Sequence, residues 1–209
     1  GSCMSIVTPT SGAPTTPYYL QQSTFRKFSL DEYHKMIESG VLTSGEPYEL
    51  LEGNLVNKMS HGTTHDAAMD RIEGLFLALV LGTWFVRCQR AVTLGSSEPE
   101  PDYAIVRGPR GRYASAHPTS SDVGLAIEVS DSSLMIDRHD KGRIYARASI
   151  PVYWVVNVVD KVIEVYTQPS GPSAAPEYAN RETYPVGSAV PVVLDGETVG
   201  TIAVADVMG

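Results

Sequence analysis

Two charged residues lie where the sequence pattern otherwise places apolar side chains. Glu128 is inside the apolar segment 125–129, and Lys141 follows on what the spacing predicts to be the inward face of a helix that begins at Asp137. Glutamate and lysine are almost never fully buried unless they are paired. An ionised group in such a position therefore needs a partner of opposite charge or a metal ion. The fold must bring this strand and the following helix together at a charged site.

A third charged residue, Asp102, precedes another apolar segment, 103–106. Successive side chains of a strand point to opposite faces, so Asp102 and Glu128 can converge on one face if their strands are neighbours. Mg²⁺ is typically held by one or two carboxylates with water and substrate phosphate. We therefore predict a Mg²⁺ site with Asp102 and Glu128 as ligands, to which the backbone carbonyl of Val129 can add a third. Lys141 would orient the attacking water or offset charge in the transition state of phosphodiester hydrolysis.

Each of these residues also has a simpler structural explanation. Asp102 belongs to an acidic, Pro-rich stretch in which a loop carboxylate is ordinary. Glu128 and Lys141 can form a buried salt bridge that adds little stability. Glu49 can supply a further carboxylate, although a glutamate on an edge strand is usually solvated. His65, at the start of a predicted helix, can contact phosphate or water, although a capping or surface role is the more usual one.

The composition suits one globular domain. The chain of 209 residues, 43% hydrophobic and 19% charged, is long enough to bury a full core. Residues 1–24 are rich in Ser, Thr, Pro and Gly, and we expect them to form a flexible arm before a single domain at 25–209. No segment is as long as a membrane span and no leader pattern is evident, so the expected location is cytoplasmic, with no membrane partner.

The net charge of −8 has the wrong sign for a protein that holds nucleic acid mainly through its overall field. It counts less against a metal-dependent nuclease, because bound cations neutralise some of the acids. Two groups of arginines form candidate basic strips, although most are expected to be solvated: Arg107, Arg110 and Arg112, and Arg138, Arg143 and Arg147. The histidines at 61, 117 and 139 show no repeated ligand spacing, so we make no prediction of a zinc site from the sequence.

Periodicity and turn residues predict an α/β or α+β fold with a mixed central sheet flanked by helices and extra β-hairpins. The predicted elements are a helix from Ser29 to about Gly40, a hairpin over 48–56 with a Gly-Asn turn, a helix over 64–81, strands over 84–94, 102–106 and 123–130, a helix from Asp137 to the residues before Pro151, a hairpin of 152–159 and 162–167, a linker over 168–177, and short strands after Thr183.

Five separated blocks of the sequence resemble the Uma2 family of the PD-(D/E)xK nuclease superfamily. The blocks are Tyr48 to Gly53, His65, Pro101 with Asp102, Glu128 to Leu134 with Asp137 and Lys141, and Ile144 to Val156. The resemblance covers about residues 25–190. It implies a restriction-endonuclease-like core and ligation of Mg²⁺ or Mn²⁺ by Asp102 and Glu128. The superfamily lysine stands two residues after the glutamate, where this chain has Ser130. In sequences that resemble Uma2 the lysine moves to the next helix, and Lys141 fits that position.

The first functional hypothesis is a Mg²⁺-dependent endonuclease that cuts nucleic acid, with DNA as the expected partner. The rival hypothesis is a catalytically idle protein of the same fold that binds or regulates a partner through the Trp154 region. An enzyme for another phosphate ester would use the same residues. We also expect a homodimer, because a β-rich hairpin at 162–167 follows an aromatic strand and enzymes of this kind commonly pair to cut two strands.

Overall fold

The computed structural model describes residues 25–43, 46–79 and 81–209, so the predicted arm at 1–24 lies outside the described residues. The helices and strands are, in chain order, α1 (Leu30–Glu38), β1 (Tyr48–Leu51), β2 (Asn54–Asn57), α2 (Thr63–Ala78), β3 (Trp84–Cys88), β4 (Tyr103–Arg107), β5 (Val123–Ser130), a π-helix (Ile136–Lys141) that continues into α3 (Gly142–Arg147), β6 (Val152–Asn157), β7 (Val162–Pro169), β8 (Tyr178–Pro185), β9 (Ala189–Leu194), β10 (Glu197–Ala203) and α4 (Val204–Met208).

A six-stranded mixed sheet forms the centre of the domain, with the strand order β3-β4-β5-β6-β7-β8. β5 and β6 run parallel, and every other neighbouring pair in this sheet is antiparallel. A parallel pair needs a crossover connection, and the π-helix with α3 supplies it. The hairpins β1–β2 and β9–β10 form two separate small sheets. This arrangement confirms the predicted mixed sheet with helices and additional hairpins.

Apolar layers cover both faces of the central sheet, which explains why the middle strands read as continuous apolar runs. All eight residues of β5 are buried. On one face, α2 and the β9–β10 hairpin pack against the side chains of Ile105, Ile127 and Trp154. On the other face, α3 packs against Ala126 and its neighbours. Asp102 and Glu128 belong by strand alternation to this second face, where the apolar layer stops at the carboxyl end of β5.

Several predicted boundaries were wrong for identifiable reasons. β3 ends at Cys88 rather than near residue 94, because Gln89 has a positive φ of 45° that interrupts the strand. The turn of the first hairpin is formed by Glu52 and Gly53, both with positive φ, rather than by Gly-Asn. Residues 168–177 were predicted as a linker, but β7 extends to Pro169. β8 then adds an edge strand whose side chains are mostly exposed and therefore carry little apolar signal.

The helix that carries Lys141 begins earlier than the sequence predicted. Helical conformation starts at Leu134, and Asp137 donates its backbone N–H to the Ser133 carbonyl at 3.0 Å. Asp137 is therefore inside the first helical turn and does not cap it. Its side chain is buried and accepts hydrogen bonds from the Ser130 and Ser133 hydroxyls at 2.7 and 2.5 Å. The predicted start at Asp137 was wrong, because its carboxylate is hydrogen-bonded inward to these two serines instead of standing at the end of the helix.

The sheet edges are β3 and β8, since β7 lies between β6 and β8. The segment 162–167 is consequently an internal strand of the sheet, and the homodimer stays a prediction. In the described part of the chain, no helix combines the length and the apolar character needed to span a membrane.

Candidate active site

The two predicted metal ligands lie opposite each other on neighbouring strands. β4 and β5 pair antiparallel with Tyr103 facing Ile127, a register that places Asp102, just before β4, across from Glu128. Both carboxyl side chains are buried, with Asp102 6% and Glu128 3% exposed. They line the same cavity of about 980 Å³, which Lys141 also lines. The structure thus brings together the three residues that the sequence proposed as the catalytic group.

Lys141 reaches this group from the helix, as the sequence predicted. Its Nζ lies 3.0 Å from Oε1 of Glu128 and 3.5 Å from Oε1 of Glu49. Burial alone would lower the pKa of Lys141, but the surrounding carboxylates, chiefly Glu128 and Glu49, outweigh it and raise that pKa above 10.5. The ammonium therefore stays charged at neutral pH. Lys141 is the last residue of the π-helix, a rare wide turn that is frequent at functional sites.

Glu128 is surrounded by more negative than positive charge. Tyr145 donates its hydroxyl to Oε1 of Glu128 at 2.7 Å, and Lys141 lies at the same oxygen. Burial nevertheless raises the pKa of Glu128 well above 4.5, and the nearby carboxylates of Asp137 and Asp102 add to that rise against the attraction of Lys141. In the absence of a cation, protonation of the Glu128 carboxyl group is consequently favoured.

Asp102 is held by hydrogen bonds and stays ionised. Its Oδ2 accepts the backbone N–H of Val129 at 2.8 Å and faces Nε2 of His65 at 3.2 Å. Among the described residues, its Oδ1 accepts just one hydrogen bond, a long one of 3.4 Å from Gln89. Burial opposes ionisation, but the hydrogen bonds from His65 and Val129 outweigh it and lower the pKa of Asp102 below 3.8. One oxygen is thus occupied by fixed donors while the other is available to a ligand.

Glu49 and His65 are more deeply buried than a glutamate on an edge strand and a histidine at a helix start usually are. Glu49 is 4% exposed, because the β1–β2 hairpin places it beside Lys141, and its Oε2 accepts the backbone N–H of Glu100 at 3.1 Å. His65 is also 4% exposed and contacts Asp102. The expectation of a solvated Glu49 and a surface or capping His65 was wrong.

Three residues of the site did not enter the predicted group. Tyr145 donates its hydroxyl to Glu128, Asp137 lies close enough to raise the pKa of Glu128, and Gln89 contacts Asp102. Asp137 and Tyr145 share the predicted inward face of the Lys141 helix, so this spacing was the signal that could have identified them. Gln89 follows a strand end and carries no comparable pattern.

The cavity is strongly acidic. Eight carboxylate residues and two lysines line it: Glu46, Glu49, Asp66, Glu100, Asp102, Glu128, Asp131 and Asp137, with Lys58 and Lys141. A phosphate group would meet net repulsion here, whereas a divalent cation fits both the charge and the oxygen donors.

The candidate basic strips are largely engaged in ion pairs and do not offset this charge. Arg107 pairs with Asp195, Arg112 with Asp122, Arg138 with Glu164, and Arg143 and Arg147 with Glu52.

Comparison with known proteins places this geometry in context. The family model described as "Uma2: Putative restriction endonuclease" matches residues 30–199. A solved structure with the same fold is the crystal structure of a "putative nuclease belonging to DUF820" from Anabaena variabilis ATCC 29413. It has a TM-score of 0.63 and 16% sequence identity, covering 87% of this chain and 97% of that one. The comparison with curated proteins gave no significant match.

Proposed function

Because the chain belongs to the Uma2 family, we propose that it is a divalent-metal-dependent endonuclease that hydrolyses phosphodiester bonds of nucleic acid. The observation that carries this proposal is the Lys141 ammonium, 3.0 Å from Glu128 in a cavity that Asp102 also lines. Carboxylates that can hold a cation, with an ammonium beside them in one cavity, are groups suited to phosphodiester hydrolysis.

The residues of the site fit a hard divalent cation. Asp102 offers an ionised oxygen whose only described hydrogen bond is a long one, and Glu128 offers a carboxylate whose ionisation is costly without added positive charge. Oxygen donors of this kind suit Mg²⁺ or Mn²⁺. Asp102, Glu128 and the backbone carbonyl of Val129 would hold the ion, and Glu49 is the nearest further carboxylate. When bound, the ion would activate water and reduce the charge on the scissile phosphate.

In this proposal Lys141 donates a hydrogen bond to a water or phosphate oxygen, and it stabilises the negative charge that develops in the transition state. Its ammonium is fixed by Glu128 and Glu49, so it needs little reorganisation to donate a hydrogen bond to a water or phosphate oxygen beside Glu128. A preorganised donor in a partly enclosed site stabilises developing negative charge more strongly than one in bulk water. Tyr145 positions Glu128 by donating its hydroxyl to the same oxygen, Oε1. Lys141 is thus the catalytic cation, and Tyr145 is a positioning residue.

DNA is the proposed substrate, and the acidic cavity explains how the reaction would depend on the metal. With eight carboxylates around two lysines, a polyanion can approach only after cations have bound. We also propose a homodimer, which would let two sites act on two strands, and a cytoplasmic location, where such a substrate is present.

The test is cleavage by the purified full chain. Plasmid DNA, single-stranded DNA and RNA are incubated with Mg²⁺, Mn²⁺ or EDTA, and the wild type is compared with Glu128→Gln and Lys141→Met. We expect metal-dependent cleavage of DNA by the wild type and none by either variant. Lys58→Met is the matched control, because Lys58 lines the same cavity but pairs with Glu100 at its edge, and it should keep most activity.

The hypothesis of a catalytically idle protein predicts the opposite result in these cleavage assays. It would be supported if the wild type cuts none of the substrates and neither Mg²⁺ nor Mn²⁺ shifts its melting temperature. The Trp154 region is not the contact surface that this hypothesis expected, because Trp154 is 1% exposed and packs against Phe76 in the core. A partner would have to bind elsewhere.

A further inference from the structure

His65 has one ring nitrogen that the proposed nuclease site does not use. Its Nε2 faces Oδ2 of Asp102 at 3.2 Å, so the proton of the neutral ring belongs on that nitrogen. Its Nδ1 is buried and has no hydrogen-bond partner among the described residues. A buried polar atom without a partner costs free energy. Nδ1 carries a lone pair, and a bound cation would satisfy it.

Two further donor side chains stand next to this nitrogen. The ring of His61 stacks on the ring of His65 with centroids 3.8 Å apart, and Oδ1 of Asp66 lies 3.6 Å from Nδ1 of His65. Ligand atoms of the three residues all lie within 4.8 Å of one another. His61 and Asp66 are exposed, so their side chains can rotate by the small amount needed to close on an ion.

We propose that His61, His65 and Asp66 form a second metal site, which takes a borderline transition-metal ion such as Zn²⁺. Two imidazoles and one carboxylate are the donors that such an ion prefers, whereas Mg²⁺ prefers oxygen ligands. Three protein ligands leave a coordination position open to the cavity, which all three residues line. The site would therefore be accessible to water or to an anionic group in the cleft.

Asp102 orients this second site. A metal-binding histidine almost always donates its other N–H to a carboxylate or carbonyl, which fixes the tautomer and makes the binding nitrogen more basic. The Asp102–His65 contact supplies this arrangement, with Oδ2 directed to His65 and Oδ1 away from it. One carboxylate would thus connect the two metal sites. The second site does not depend on the proposed hydrolysis, because its donors are a different set.

The sequence pattern did not reveal this group. His61 and His65 are four residues apart, but Gly62 separates His61 from the first turn of α2, so the pair does not lie within one regular helix. The third donor, Asp66, is adjacent to His65 in the chain.

Zinc binding by the full chain tests the proposal. Isothermal titration with Zn²⁺ is carried out in excess Mg²⁺, which competes for the oxygen site, and Co²⁺ absorption reports the coordination. We expect one Zn²⁺ per chain. His61→Phe keeps the ring stack and removes the nitrogen, so it should weaken Zn²⁺ binding by roughly 10–100-fold or more, since even changes outside the ligand shell have effects of about that size. Asp66→Asn should weaken binding in the same direction.

Two controls separate this site from the nuclease site. His117→Phe removes an exposed histidine elsewhere and should leave Zn²⁺ binding unchanged. Glu128→Gln should lose Mn²⁺ binding but retain Zn²⁺. The proposal is overturned if the wild type retains no Zn²⁺ in excess Mg²⁺, or if His61→Phe binds Zn²⁺ as tightly as the wild type. A wild type that binds Zn²⁺ through His61 but cuts no nucleic acid would support the second site and count against the nuclease.

Discussion

Replacing Lys141 by methionine should destabilise the metal-free protein by about 3–5 kcal/mol, because removing one partner of a buried ion pair leaves uncompensated charge. The Nζ–Oε1 distances are 3.0 Å to Glu128 and 3.5 Å to Glu49. At an effective dielectric constant of about 20, each contact is worth roughly 5 kcal/mol of attraction before desolvation is subtracted. Burial already raises the pKa of Glu128, so this carboxyl group can take up a proton in the variant. Proton uptake limits the loss of stability.

Urea denaturation of the wild type and Lys141→Met, in EDTA and in Mn²⁺, measures this difference. A metal ion that binds only the folded protein should raise the free energy of unfolding by about 2.7 kcal/mol when its free concentration is 100 times its dissociation constant. Lys58→Met is the matched control, because Lys58 and Glu100 are each 29% exposed and an ion pair of that kind contributes about 0–1 kcal/mol. Equal losses in the two variants, or a Lys141→Met protein as stable as the wild type in EDTA, would refute the reasoning.

Three further substitutions test other parts of the structure. The folded-state pKa of Glu128 is raised above 4.5, so its stabilising contribution is present below that pH and is lost as pH rises through the folded value. In EDTA, the stability of the wild type relative to Glu128→Gln should therefore fall from pH 4.5 towards neutral pH, as followed by urea titration at each pH. Tyr145→Phe removes a buried 2.7 Å hydrogen bond to Glu128 and should cost about 1–3 kcal/mol in the same assay; no loss would contradict that role. Gly124→Ala places a Cβ 2.8 Å from the Trp84 ring and 2.9 Å from Leu194. It should cost about 1–3 kcal/mol by thermal or urea unfolding, and an unchanged stability would contradict the close packing at this position.

The parts of the fold that the sequence predicted best are those whose burial is visible in the residues of a single segment. β5 was predicted at its observed bounds because both of its faces are covered, so its residues form an uninterrupted apolar run with Glu128 as the exception. The inward position of Lys141 followed from three- and four-residue spacing within one helix. Local periodicity contains this information.

The missing parts depend on contacts between segments far apart in the chain. Glu49 is on a short strand outside the central sheet, and only the docking of that hairpin over the cavity places it beside Lys141. His65 is buried because the start of α2 meets Asp102, 37 residues further along the chain. β8 is an edge strand with mostly exposed side chains, so no alternation of apolar residues marked it.

The position of Lys141 beside Glu128 depends on how the start of its helix is attached to the sheet. Ser130 stands two residues after Glu128, is fully buried and donates its hydroxyl to Oδ2 of Asp137 at 2.7 Å, while Ser133 donates to the same oxygen. Tyr153 also donates its hydroxyl to the Asp137 carbonyl at 2.9 Å. These bonds attach the first helical turn to the sheet on both its side chain and its backbone. The π-helix that follows is then fixed at its start, and Lys141, at its end, is held toward Glu128 without being part of the strand.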